Sequence, residues 1–456
     1  MIEKEINLND VLNYSLILFF LLTILSKSPE ASAHKKHLLQ HSFLRIPSSQ
    51  STDCLLRSYL DTLDPDSHVK KLKTISRGYY PYKFINIDLK KILGYNQYEG
   101  LRLGIGLLTN DGLSRKYAFG GYVGYGLHDK HWKYGGRAIF DLQKGSLGRL
   151  ELAYMHDVSA MGGYQLLEKE SILSPKMLRE FLIDKMDREI KKQITYSFRP
   201  TACLKLSFFM QQSDIDPYAD YRFLKGEKTY KGTFHLAEIG LRSRLSLFEH
   251  AVNTSRGKIR QDSHFPVLYG NVFRGINWLN GNFEYIKLTA SLADHFQIKW
   301  LGRFRYKLVG GMTGGQAPAF KLYNGHGSFG SRFNIYAPNS FATMRFSEFT
   351  ADRFVSFFLS QDFTAILFQR DRFFPRVAWI NNMGWGWLND QDNHRGINLQ
   401  TFDKGYFETG LVLDDLLRTL LFNYGFGVFY RYGPYGFQKF SNNVVYKLKI
   451  SVNFNF

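Results

Sequence analysis

Beyond Leu25 the chain has no apolar run approaching the roughly 20 residues that a membrane helix needs. Any bilayer crossing by the rest of it would be made with strands. Proline is scarce, 12 in 456 residues, which leaves long extended segments uninterrupted. Cysteine is scarcer still. Cys54 and Cys203 could pair in an oxidising compartment, but two residues so far apart make no disulfide framework and read as free thiols. Acidic residues are in deficit, 40 against 59 Lys and Arg, for a formal charge of +19. Such an excess suits nucleic acid when it is gathered into a patch or a basic helix. Here the bases are spread along the chain, and nucleic acid is not an expected partner. No phosphate loop is recognisable: neither the Gly302-Arg303-Phe304-Arg305 run nor the Gly-rich stretch 310–330 leads into a helix, and no cofactor is expected.

What the chain has in quantity is aromatic residues and glycine, with 40 Phe, 28 Tyr and 40 Gly. Its last eleven residues show how they are used. Tyr446, Leu448, Ile450, Val452, Phe454 and Phe456 alternate with Lys447, Lys449, Ser451, Asn453 and Asn455. Successive side chains of a strand point to opposite faces, so one face is apolar and the other polar. About 9–11 tilted strand residues cross a bilayer, lipid-facing and lumen-facing in turn. The segment therefore reads as the closing strand of a transmembrane antiparallel β-barrel, ring-closed against a first strand near residues 80–90. Its aromatic ending reads as the signal for barrel-insertion machinery.

Three regions are expected. Residues 1–33 read as a signal peptide: Leu12 to Leu25 is apolar, and Ala31-Ser32-Ala33 is a small-residue cleavage pattern, although Glu3, Glu5 and Asp10 outweigh Lys4 ahead of it. Residues 34–76 read as a short periplasmic segment. There Asp64, Pro65 and Asp66 suit the start of a short helix, and with His68 they do not make an expected metal site. Residues 77–456 carry the dyad pattern of about 14–16 strands, an even number keeping both termini periplasmic. Leu101 to Leu107, Tyr117 to Leu127, Trp132 to Leu142 and Leu150 to Met155 are its first strands. Phe296 to Leu308 reads as one strand with Lys299, Arg303, Arg305 and Lys307 on a single face. Asn253 to His264 reads as an extracellular loop, and Ser347 to Phe363 as a strand. One helix interrupts the series, Ser174 to Ile190, with Met177, Leu178, Phe181, Leu182, Lys185 and Met186 at helical spacing. It would plug the lumen, lie on a membrane surface or pack on the rim.

The polar faces of these strands carry a row of bases: Arg102, Arg242, Arg244, Lys299, Arg303, Arg305, Lys307, Arg431, Lys447 and Lys449. Bases are costly in lipid and at home in a watery lumen. Glu348, Asp352 and Arg353 read as an inner-wall ion pair with Arg303 or Arg305. That pair would either fix the wall or hold loop 310–345 in the lumen as a plug. No catalytic constellation is expected. His156 with Asp157, and Ser356 with Asp352, supply suitable residue types without diagnostic spacing.

Four motifs in order resemble a known family. They are Tyr95-Asn96-Gln97-Tyr98-Glu99-Gly100-Leu101-Arg102-Leu103-Gly104, and Gly121-Tyr122-Val123-Gly124-Tyr125-Gly126 with Asp129-Lys130 and Lys133-Tyr134-Gly135. Then come Leu173-Ser174-Pro175 to Asp187-Arg188, and Ser347-Glu348-Phe349-Thr350-Ala351-Asp352-Arg353-Phe354-Val355-Ser356. Together they resemble the barrel of uncharacterised Bacteroidota outer-membrane proteins known as carboxypeptidase-regulatory-like-domain-containing. That family usually carries an upstream β-sandwich, which residues 34–76 are too few to hold. The plan is also similar to surface-antigen barrels of outer-membrane assembly and secretion factors, an analogy of fold.

The sequence thus leads to the expectation of a non-enzymatic outer-membrane barrel in envelope assembly, export or transport of surface components. Outer-membrane lipid, the barrel-assembly machinery and periplasmic proteins would be its partners. The alternatives are an anion-preferring porin, a lipid-modifying enzyme of the outer membrane and a soluble β-sandwich.

Overall fold

The computed structural model describes residues 79–456 apart from 111, 115, 143–147, 163–174, 202, 249–250, 255–256, 261–263, 299–300, 331–333, 364–374, 420–421 and 453–456. The expected signal peptide and periplasmic segment lie outside the described residues, as do Cys54, Asp64, Asp66, His68, Lys299, Phe454 and Phe456.

The fold is all-β, and its main element is one antiparallel sheet of eighteen strand segments. Ile85–Asp88 and Leu93–Asn96 pair with successive parts of the same neighbour, so they are two halves of one strand, β1. The next strands are β2 (Gly100–Thr109), β3 (Tyr117–Gly126), β4 (Trp132–Asp141), β5 (Gly148–Ala160) and β6 (Met186–Phe198). Then come β7 (Leu204–Asp216), β8 (Phe234–Phe248), β9 (His264–Gly275), β10 (Tyr285–Ile298) and β11 (Gly302–Gly315). The series ends with β12 (Arg353–Asp362), β13 (Arg376–Trp387), β14 (Tyr406–Arg418), β15 (Phe422–Tyr432) and β16 (Val444–Val452). Each pairs antiparallel with the strand before it. A short ribbon, Tyr79–Tyr82, flanks the first half of β1. Sixteen staves are an even number, so β1 starts and β16 finishes at the same end of the sheet.

The two halves of β1 are separated by a helical turn, α1 (Leu89–Ile92). It lies over β2 because two residues there lack side chains. A Cβ on Gly104 would stand 2.7 Å from the Lys91 carbonyl oxygen, and one on Gly106 would stand 2.8 Å from the Lys91 Cβ.

The sheet curls, and one segment shows it. The connection between β11 and β12, residues 316–352, touches β10 and β11 through Tyr323, β8 through Lys321, β14 through Thr343 and β16 through Leu448. Strands so far apart in the sheet reach one segment only if the sheet wraps around it. Its inner face is therefore packed, while its outer face carries the apolar partners of the alternation.

Four expectations change. The helix is shorter than Ser174 to Ile190: α2 spans Pro175–Glu180, and Met186–Phe198 is strand β6. Met186 to Ile190 also fits period two, and thirteen rungs against β5 outweigh another helical turn. Phe296 to Leu308 is a hairpin, with β10 ending at Ile298 opposite Gly302 of β11. The expected extracellular loop after β8 leaves the sheet at the end where β1 starts and β16 finishes, because β8 runs towards that end. Ser347 and Glu348 lie in a turn ahead of the strand that begins at Arg353.

The expected closure is also different. Among the described residues no ladder joins β16 to β1. The free edge of β16 is met instead by the lumenal segment: the Leu448 N–H donates to the Asn334 carbonyl (2.9 Å), and the Tyr336 N–H to the Leu448 carbonyl (2.8 Å). Ile335 packs there with Leu178 of α2, Ala337 and Ile450, while Phe181 stacks on Tyr95 of β1 at 6.1 Å. The inserted helix thus sits at the seam between first and last strands.

Candidate functional site: a filled lumen

The lumenal segment leaves β11 at Gly315, whose φ of 89° favours glycine, and makes a 3-10 turn at Ala319–Lys321. Tyr323–Asn324 pairs with Thr350–Ala351, so the segment returns beside its own start. Inside that loop Gly327–Phe329 pairs in parallel with Phe341–Arg345. These short ladders leave many buried backbone groups unmatched, and burying one without a partner is expensive.

Charged residues of the wall supply the partners. Lys287 of β10 donates to the Lys321 carbonyl (2.7 Å), and Lys447 of β16 to the Ser328 carbonyl (2.7 Å). Arg179 of α2 donates to the Gly327 carbonyl (3.3 Å) and the Asn324 side-chain oxygen (3.2 Å). The Glu408 carboxylate of β14 does the converse. It accepts the Ala342 N–H (2.8 Å), the Thr343 N–H (2.9 Å), the Thr343 hydroxyl (2.7 Å) and the Asn382 side-chain amide (2.7 Å). Apolar packing fills the remaining space: Tyr323, Phe341, Met344 and Phe349 lie against Val309, Phe354, Phe358 and Tyr406. Buried polar groups and aromatic rings together make a fixed plug.

Of the expected lumen bases, several are engaged by other groups. Arg102 forks onto Glu99 and Asp157 (2.6 Å each), and Asp157 also takes Lys91 (3.3 Å) and the Tyr122 hydroxyl (2.7 Å). Arg242 stacks over Phe209 at 4.2 Å, and Arg244 reaches the Tyr269 hydroxyl at 3.4 Å. Lys307 is buried, Arg303 is exposed near the start of β11, and Lys449 pairs with Asp414. Glu99, Lys133, Glu238, Lys321 and Glu408 carry no mark in the sequence. Glu99 and Lys133 have near partners in Arg102 and Asp129 and also meet each other, while Glu238 meets Lys321 and Glu408 meets Thr343 only across the fold, where no local spacing shows it.

The expected ion pair has other partners. Arg305 binds Asp362 (2.8 Å), while Glu348 binds Arg431 of β15 (2.8 Å). Asp352 accepts the Asn389 N–H (2.9 Å) and touches Arg353 (3.3 Å), whose other end holds Asn389 (2.7 Å). Strand order explains the change: Arg305 lies opposite Ser360 on β12, far down the strand from Asp352. His156 and Asp157 point to opposite faces, His156 packing edge-on against Tyr134 at 5.0 Å. Among the described residues no group of three or more His, Cys, Asp or Glu could hold a metal ion.

His326 sits at the centre of the plug with φ of 60°. Neither ring nitrogen has a hydrogen-bond partner among the described residues, and the ring lies 5.2 Å from Phe354 and 6.1 Å from Phe358. Burial, then Arg179, Lys307 and Lys287, holds its pKa well below the usual value. The unfolded segment would bind a proton near the ordinary imidazole value of about 6.5, which the folded plug refuses. The stability contributed by the neutral ring is complete above that pH and is lost as pH falls. Between pH 7.5 and 5 the plug should lose about 2 kcal/mol. Amide exchange of residues 334–345, corrected for intrinsic rate, should rise accordingly, and His326→Phe should flatten the dependence.

Residues 212–395 match the model of a C-terminal domain from a family of unknown function, DUF5686. A search of curated proteins finds no match. Among solved structures, BamA from Haemophilus ducreyi lacking POTRA domains 1-3 is similar at 9% identity and a TM-score of 0.48, over 81% of this chain and 71% of that one. CdiB from Escherichia coli is similar at 10% identity and 0.45, over 82% of this chain and 63% of its own. CdiB from Acinetobacter baumannii follows at 12% and 0.41, over 78% and 58%. The match therefore spans less than two thirds of each CdiB chain.

Proposed function

We propose that the chain is an outer-membrane barrel with a plugged lumen that serves assembly, export or transport of surface components and catalyses no reaction. One observation carries this reading: the apolar residues of the alternation are exposed on the outer face of the sheet, and its polar residues are packed inside. Ile105, Leu411 and Tyr446, from opposite ends of the chain, are 52%, 54% and 61% exposed, while Glu408 and Lys447 are fully buried. A soluble sheet would be arranged the other way. No helix among the described residues is long and apolar enough to cross a membrane, so the crossing would be made by strands.

The occupied lumen favours assembly or gated transport over free diffusion. In a porin the inner bases would face water, whereas Lys287, Lys447 and Arg431 are consumed by plug carbonyls and Glu348. Ile105→Arg tests the membrane reading. At the centre of β2 it should cost about 2–4 kcal/mol and reduce the heat-modifiable, membrane-extracted form; a soluble protein would tolerate it. In planar bilayers the wild type should show no steady open state. A continuous anion-selective current would favour the porin instead.

A further inference from the structure

The outer face of the sheet has a groove of about 650 Å³ across β4 to β7. Strand register makes it two parallel rows. Ala138, Leu152, Ile194 and Met210 are successive partners and form an apolar row. One step along the strands, Gly136, Tyr154, Lys192 and Gln212 are also successive partners, and there the apolar surface gives way to polar groups. Space comes from the small residues: a Cβ added to Gly136 would meet only the Gly120 carbonyl, at 3.7 Å.

A turn closes the groove beyond β7. The Ile276 N–H donates to the Ala237 carbonyl (2.9 Å) and the Asn282 N–H to the His235 carbonyl (3.1 Å), which brings the turn 277–281 against β8. Leu279 lines the groove, and Trp278 beside it is 69% exposed. Tyr and Trp with a lysine at the edge of an apolar band are what a membrane–water boundary selects. Lys191 next door pairs with Glu189, whereas Lys192 makes no ion pair among the described residues.

We propose that this groove holds one membrane lipid with an anionic headgroup, its acyl chain along Ala138, Leu152, Ile194 and Met210 and its phosphate on Lys192, flanked by Tyr154 and Gln212. The inference rests on the membrane reading, because an outward apolar groove inside a bilayer is filled by lipid. Charge decides the class of lipid: Lys192 is a cation with no ion pair among the described residues, at the row where headgroups begin.

The test uses the full chain purified in detergent and offered phosphatidylglycerol or phosphatidylcholine with identical acyl chains, with retained lipid counted by native mass spectrometry. Phosphatidylglycerol should be retained about 5-fold better, the effect of one lysine near an anionic surface. Lys192→Met should equalise the two lipids, Lys192→Arg should restore the preference, and Ala138→Phe should reduce retention of both. Inorganic phosphate should not displace the lipid. Equal retention by the wild type, an unchanged preference in Lys192→Met, or displacement by phosphate alone would overturn the proposal. Wild-type protein absent from the membrane fraction would overturn the membrane reading instead, so the two failures are distinct. A variant that loses heat-modifiable mobility is replaced by Lys192→Gln, which keeps hydrogen bonding and removes the charge.

Discussion

Glu408→Gln should unlatch the plug while leaving the sheet assembled. The carboxylate accepts four hydrogen bonds with both its oxygens and is fully buried. An amide keeps one acceptor and turns a donor either towards the Ala342 N–H and the Asn382 amide or towards the Thr343 N–H and hydroxyl. Those buried donors then face another donor, at a cost of about 3–5 kcal/mol. The cost falls on the plug, since the β13–β14 and β14–β15 ladders are made by backbone groups. Protease should therefore cut within 334–345 in the variant and not in the wild type, and heat-modifiable mobility should be retained. Unchanged resistance would mean that the aromatic packing around Phe341 and Tyr406 holds the plug alone. Such packing is rich, with those two rings 5.1 Å apart, so the variant separates polar from apolar anchoring.

Excising the plug should convert a closed protein into a steady, anion-preferring pore. β11 and β12 are already neighbours, Met312 opposite Arg353, so a short glycine-serine turn can replace residues 316–350 without stretching the sheet. The excision removes the carbonyl and carboxylate partners of Lys287, Lys447 and Arg431 and leaves them facing the new channel. Their charge would then attract anions in the manner of a ring of fixed bases. Planar-bilayer recording gives the result directly. A closed or cation-selective variant that retains heat-modifiable mobility would show that these bases do not line the path. Glu408→Gln, which keeps the whole chain, should show intermittent openings of the same selectivity.

The strands were legible because the two sides of the wall impose opposite chemistry on alternate residues. Leu103, Ile105 and Leu107 could be assigned to one face and Arg102 to the other from the sequence alone. The helix was legible in kind but not in extent, since Met177, Leu178 and Phe181 mark a helical turn while Met186 to Ile190 fits either period. The hairpin between β10 and β11 left no mark because the polar residues of the two strands continue one alternation. Glycines 104 and 106 looked like ordinary strand glycines. Their purpose depends on α1, which lies across them in space.

The plug network was least legible. The sequence leaves a plug from loop 310–345 as one option and points to Arg303 or Arg305 as its fastenings. The residues that hold it are Glu408, Lys447, Lys287, Arg179 and Arg431. Partners such as Glu408 with Thr343, or Lys447 with Ser328, meet because the sheet curls, and curling leaves no periodic trace.

By itself the sequence determined the period-two alternation, hence an antiparallel all-β chain with one apolar and one polar face to each strand. That follows from local geometry, because a strand turns neighbouring side chains apart wherever it lies. Only the tertiary structure decided that the polar face encloses a plug, which charges bind its backbone, and that the free edge of β16 is met by Asn334 and Tyr336. Those outcomes depend on which distant groups must satisfy each other's buried hydrogen bonds.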